Sequence, residues 1–194
     1  MLLWFNLISE NEKISMGSSI ETDTKPEFEV KAMGSFVQKP GCPEDAYIAL
    51  GEERVDELCF NECYNPSDDR KFIHRIEVIK VLPQEYVDQP IEGRILDPWY
   101  THYCDPNELG CSFKFSDDDF STDQKDVSYY VRAIEVPTPQ INVKGGVCEF
   151  DADGNCVKFK LCTQDWRHPR DIETCSEIDE HRAWSSPIYL DYLS

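Results

Sequence analysis

Nine cysteines constrain the fold of this 194-residue chain more than any other feature of its sequence. They stand at Cys42, Cys59, Cys63, Cys104, Cys111, Cys148, Cys156, Cys162 and Cys175, and no two are spaced as Cys-x-x-Cys. A ribbon-type zinc site draws paired ligands from two such knuckles, so the spacing favours disulfides formed in an oxidising compartment. The odd number leaves one sulfur unpaired, or joined to something outside the chain.

Loop chemistry suggests which sulfurs meet. Cys104 and Cys111 bracket the short loop DPNELG and are expected to bond. Cys148–Cys156 and Cys162–Cys175 are the favoured later pairs, because sequence-near partners close first and both intervening loops contain turn formers. A turn centred on Asp153-Gly154, however, sets Cys148 nearer Phe159 than Cys156, which leaves open a bond from Cys148 to the 162–175 region. Cys42 is expected to take Cys59 or Cys63, leaving the other as a thiol. Each closure of this size contributes about 2–4 kcal/mol.

Charge narrows the partners. There are 38 acidic against 19 basic residues, a formal net charge of −19. Phosphates would be repelled, so nucleic acid is not an expected partner. The first residues, MLLWFNLISE, carry a short apolar run with no basic flank and no small-residue cleavage site. That is a poor signal peptide and too short to span a bilayer. Export-type cysteines without an export signal predict a fragment of a longer protein. Residues 1–25, which include GSS and TDTKP breakers, are expected to be poorly anchored, with MLLWFNLI partly covering an apolar face left by the missing portion.

The rest reads as one domain, residues 26–194. FEVKAMGSF alternates with a strand period from Phe28 to Phe36. PEDAYIALGEERVDELCFNECY has Pro43 and acids suited to a helix start, with Gly51 dividing two short helices, a helical insertion at about 43–60. Val55, Leu58 and Cys59 share a helical face, and NPSDDR is a turn. KFIHRIEVIKVLP is a central strand, residues 84–128 are loop-rich, and SYYVRAIEVP is a second strand. GVCEFDADGNCVKFKLC is a hairpin. In SPIYLDYL, Ile188 and Leu190 face one side and Tyr189 and Asp191 the other. Pro187 suits a strand's first position, Trp184 is expected to cover the core's edge, and Arg182 to pair with a carboxylate. The predicted fold is mainly β: an immunoglobulin-like antiparallel β-sandwich with a short helical insertion and long disulfide-linked loops.

Three stretches together carry a resemblance: MGSFVQKPGCP with ECYNPSDDRKFIHRIEVIKV, then YYVRAIEVPTPQIN, then RAWSSPIYLDY. From about residue 16 onward the chain resembles the C-terminal portion of the domain-of-unknown-function family 3604, secreted bacterial proteins related to PHP-type metal-dependent phosphoesterases. The resemblance implies periplasmic or extracellular localisation and an upstream catalytic half, absent here, that holds divalent metal and is the chain's partner. For this stretch itself it implies a scaffold without catalytic or metal-binding residues and without a cofactor. Tyr130, Arg132, Pro137, Pro139, Arg182, Trp184, Ser186 and Pro187 are the motif residues, with structural roles.

Other constellations are weaker. Asp179 and His181 form an Asp-x-His pair with no further ligands, whereas a catalytic metal needs at least three. The histidines, His74, His102, His168 and His181, are far apart in sequence. DADGN resembles the start of a calcium loop but has Cys156 where Gly belongs and Cys162 where the bidentate Glu belongs, so a hairpin turn is expected. SDDDF is read as solvated charge. No thiolate is brought beside a base, and disulfide bonding would remove the nucleophile. The rival to a scaffold is an autonomous extracellular binding module using Trp99, Tyr100, Tyr103 and Trp166 on loops.

Overall fold

Alternation of apolar and polar residues puts most of the chain into strands, and a computed structural model describes residues 1–9, 12–59, 63–141, 146–161 and 176–193. In chain order these are β1 (Leu2–Ser9), β2 (Glu12–Ser15), β3 (Ser19–Thr22), β4 (Glu27–Met33), β5 (Phe36–Gln38), the helices α1 (Glu44–Leu50) and α2 (Glu52–Cys59), then β6 (Pro66–Arg70), β7 (Ile73–Val81), β8 (Ile95–Tyr103) and β9 (Cys111–Ser116). A short helix α3 (Phe120–Asp123) precedes β10 (Val127–Glu135), β11 (Thr138–Ile141), β12 (Gly146–Phe150), β13 (Cys156–Leu161), β14 (Ser176–Asp179), β15 (Arg182–Trp184) and β16 (Ile188–Tyr192). The protein is mainly β, with few helices. Among the described residues no helix is long and apolar enough to cross a membrane.

The expected single domain divides into two compact units. The first comprises residues 1–37, 68–136 and 182–194, and the second residues 38–67 and 137–181. In the first unit two sheets share one core, as in a sandwich. One has the order β2-β1-β4-β9, and the other β3-β16-β10-β7-β8 with β15 also on β10. The pairings are antiparallel except β16 with β3, which is parallel.

Period-2 patterning explains the core. On β4, Phe28, Val30 and Ala32 point inward while Glu27, Glu29 and Lys31 point outward. On β10, Val127, Tyr129, Val131 and Ala133 do the same, and Ile76, Val78, Ile188 and Leu190 complete that sheet's inner face. Each fully buried Phe or Leu of this set contributes about 1.5–3 kcal/mol. Phe5, Phe28 and Phe115 stack, and Phe28 lies 4.8 Å from the Tyr129 ring between centroids.

Residues 1–25 are not poorly anchored. They supply β1, β2 and β3, and Phe5 and Leu7 lie within the core. A run in which both faces are apolar hides its period, so LLWFNLIS does not announce a strand in sequence. The loop-rich stretch 84–128 likewise holds β8 and β9, and NPSDDR enters β6 rather than ending as a turn. Trp184 is 59% exposed and covers no core edge. Leu58 is exposed, so only Val55 of its predicted face is buried.

The closing motif joins the centre of the larger sheet in two pieces. β15 pairs with Arg132–Ile134 of β10, and β16 with Val127–Tyr129. Ser185 fills the gap: its N–H donates to the Val131 carbonyl at 3.0 Å and its Oγ accepts the Val131 N–H at 3.0 Å. No buried amide is orphaned where the strand breaks. Ile188 and Leu190 face the core and Tyr189 and Asp191 face out, as the alternation requires.

In the second unit β11 pairs with β14 and β12 with β13. Between β12 and β13, Asp151 organises the turn, its carboxylate accepting the N–H groups of Asp153 and Asn155. The amide donated by Asn155 holds the Asp151 carboxyl below its usual range. Gly154 takes a φ of 82°, the left-handed conformation that the turn needs.

Candidate functional site

Three of the eight motif residues, Arg132, Arg182 and Trp184, lie together on the outward face of the larger sheet, opposite the core. Register aligns Thr101, Glu77, Arg132 and Trp184 in one row across β8, β7, β10 and β15. Tyr103, Arg75, Ile134 and Arg182 form the neighbouring row. Residues two apart on a strand share a face, so both rows lie on one surface.

Arg132 is the hub. Its Nε and Nη2 donate to Glu77 Oε2 at 3.0 and 2.6 Å, Nη1 donates to Asp97 Oδ2 at 3.1 Å, and Nη2 also donates to Asp97 Oδ1. Arg75 Nε donates to Glu77 Oε1 at 2.8 Å, and its Nη1 meets His74 Nδ1 at 3.1 Å. Two cations and two carboxylates balance. The planar fork of Arg132 is spent on internal partners, so it is not a free hook for an incoming anion. Trp184 and Tyr103, both largely exposed, flank the network.

Burial of Glu77 opposes its ionisation, but the hydrogen bonds from Arg75 and Arg132 outweigh that cost and hold the carboxyl below its ordinary range. The sign follows. As pH falls below the ordinary glutamate value of 4.5, the unfolded chain takes up this proton before the folded chain does, so stability declines toward the lower folded value. We expect the melting temperature to fall in that acid window, and Glu77→Gln to flatten the decline while lowering stability at pH 7. Melts from pH 3 to 7 by circular dichroism would measure both; an unchanged acid slope in the variant would refute the assignment.

The remaining motif positions are dispersed. Tyr130 pairs with Ile79 in the ladder. The Pro187 carbonyl accepts the Gly17 N–H at 2.8 Å, and Ser186 is exposed beside it. Pro137 and Pro139 belong to the second unit, Pro137 exposed and Pro139 within β11.

The cysteines resolve as follows. Cys104 bonds Cys111 with a Cα separation of 5.6 Å. Cys148 bonds Cys156, although the ladder pairs Cys148 with Phe159 and Cys156 with Phe150; the bond runs diagonally past the bulge at Glu149/Phe150. Cys42 takes Cys63, leaving Cys59 as a thiol. Cys162 and Cys175, with Trp166 and His168, lie outside the described residues. The three disulfides among the described residues point to an oxidising compartment.

Two expectations change. SDDDF is not simply solvated: Asp117 is buried, bonded by Lys80 Nζ at 2.6 Å and by the Tyr129 hydroxyl at 2.5 Å. Burial, and then the Asp117 carboxylate, push the Tyr129 phenol far upward. Trp99 and Tyr100 sit on β8 rather than a loop, with Trp99 packed against the core. Sequence reasoning also missed a depression of about 260 Å³ on the smaller sheet, lined by Trp4, Asn6, Lys13, Glu29 and Lys31. Asn6, the one polar residue within LLWFNLI, was its only signal.

Among the described residues the only His, Cys, Asp or Glu group with three ligand atoms in mutual reach is Cys42, Cys59 and Cys63. Asp179 and His181 belong to no such group among the described residues. Compared with family models, with curated proteins and with solved structures, the chain matches none.

Proposed function

We propose that this chain is a non-catalytic, disulfide-braced β-sandwich region of a secreted bacterial protein, packing on a PHP-type metal-dependent hydrolase half of the family it resembles. The observation that carries the reading is the condition of Arg132. The most polar residue of the resemblance motif is saturated by Glu77 and Asp97, so its role is to brace the sheet rather than to bind substrate. Exposed Trp184 and Tyr103 beside that brace have the chemistry of interface anchors. Localisation in the periplasm or outside the cell follows from the same reading.

The test uses the purified full chain and a separately produced hydrolase half encoded in the same transcription unit. The chain alone should not hydrolyse bis-p-nitrophenyl phosphate with Mn²⁺, Zn²⁺ or Mg²⁺. It should bind the hydrolase half, and Trp184→Ala with Tyr103→Ala should weaken binding about tenfold or more without altering the melt. Metal-dependent turnover that disappears on substitution within this chain would overturn the proposal.

The Trp4 depression favours one second reading, an autonomous binding module. On that reading Trp4→Ala would abolish retention on a polysaccharide matrix, while the Trp184 and Tyr103 substitutions would leave it unchanged.

A further inference from the structure

The Cys42–Cys63 bond has a third sulfur against it. Cys59 Sγ stands 3.3 Å from Cys63 Sγ and 3.7 Å from Cys42 Sγ, inside the reach of a single side-chain rotation. Cys59 is the last residue of α2, where one χ1 turn moves its sulfur without disturbing the helix. At rest the Cys59 thiol donates to the Val55 carbonyl at 3.1 Å. Displacement at a disulfide requires a thiolate in line with the bond that breaks. The three distances instead form a triangle with close to a right angle at Cys63, so the protonated thiol is parked beside the bond. Ionisation removes the proton that holds it to Val55 and sets the Sγ free to swing.

We propose that Cys59 is an exchange thiol for this bond. Its thiolate attacks Cys63 Sγ, forming a Cys59–Cys63 disulfide and expelling Cys42 as the thiolate. The proton released by Cys59 to solvent is matched by one that Cys42 takes up. One disulfide and one thiol are present before and after, so no oxidant or reductant is consumed.

The surroundings make the step reversible. The segment holding Cys42 stays beside Cys63 through noncovalent bonds: Lys39 N–H to the Asn65 carbonyl at 2.7 Å, and Asn65 N–H to Gln38 Oε1 at 3.0 Å. Cys42 N–H also donates to the Tyr47 hydroxyl at 3.3 Å. A freed Cys42 sulfur therefore remains in place to attack again. The region thus exists in two covalent forms. In one, Cys42 is clamped to Cys63; in the other, Cys59 at the end of α2 carries the link and Cys42 is the thiol.

The proposal is tested on the full chain without reductant. After incubation at pH 8, acid quenching and peptide-resolved mass mapping should find Cys59–Cys63 linked in a tenth or more of molecules, at a rate independent of protein concentration. Cys59→Ser should hold Cys42–Cys63 alone. Cys42→Ser should form Cys59–Cys63 on purification in air, which keeps the idea testable if equilibrium strongly favours one form. Recovery of Cys42–Cys63 as the sole linkage in wild type, together with two free thiols in Cys42→Ser, would overturn it. So would an equivalent of zinc retained by three reduced thiols in the protein as isolated.

Discussion

Asp117→Ala is expected to destabilise the fold by about 3–5 kcal/mol, the usual cost of removing one partner from a buried ion pair. The carboxylate is nearly inaccessible, and Lys80, whose ammonium it holds at 2.6 Å, is almost as deeply buried. Without Asp117 the nearest carboxylate to that ammonium is Asp123 at 3.9 Å, and the Tyr129 hydroxyl loses its acceptor. Trp99, whose ring centroid is 5.5 Å from Lys80 Nζ, offers only a weak substitute. Urea unfolding would measure the loss. Adding Lys80→Met to Asp117→Leu should recover most of it, because the uncompensated charge, rather than the missing bond, dominates the penalty. A single variant within about 1 kcal/mol of wild type would show that the pair is not desolvated as described.

Gly34→Ala should be as damaging for a different reason. A Cβ on Gly34 would lie 1.8 Å from the Lys71 carbonyl oxygen, a backbone atom that cannot rotate away. The two connecting segments are locked there: the Lys71 N–H donates to the Ser35 carbonyl at 2.9 Å, Arg70 Nη1 donates to the Gly34 carbonyl at 2.7 Å, and the Ser35 N–H donates to buried Glu135 at 2.6 Å. Relief would require moving the backbone and breaking part of this set, so we expect a loss of about 3 kcal/mol or more, at the upper end of overpacking costs. Failure to recover soluble folded protein agrees with this; a thermal melt matching wild type would contradict it.

Legibility in the sequence followed chemistry residue by residue. IHRIEVIKV and SYYVRAIEV were readable because β-branched residues and a period of two coincide in them. Cys104–Cys111 was readable because a short loop with Gly110 leaves few other places for the sulfurs to go. β1 was not, since Trp4 and Ile8 stand on the outer face where polar residues would mark the alternation. β8 was hidden by Pro98 in its middle, and its aromatics suggested exposed loops. Asp117 shows the limit of local reading. In SDDDF three aspartates look alike, and only the distant Lys80 and Tyr129 distinguish the one that is buried. The Arg132 brace was out of reach for the same reason, being assembled from residues on three strands.

β10 lies at the centre of the larger sheet with β7 on one side and β15 and β16 on the other. This arrangement sets an order of events during synthesis. β7 and β10 can pair as soon as residue 135 leaves the ribosome, but the other edge of β10 must wait until residues 137–181 have been made. Until then the inward row Val127, Tyr129 and Val131 has only one flank protected, and β3 has no neighbour at all. A nascent chain paused in that interval would expose an open strand edge prone to pairing with another copy. The long sequence separation of these partners also predicts slow closure. Residues 182–192 are therefore a folding latch for β10, and shielding from aggregation is needed most just before they are made.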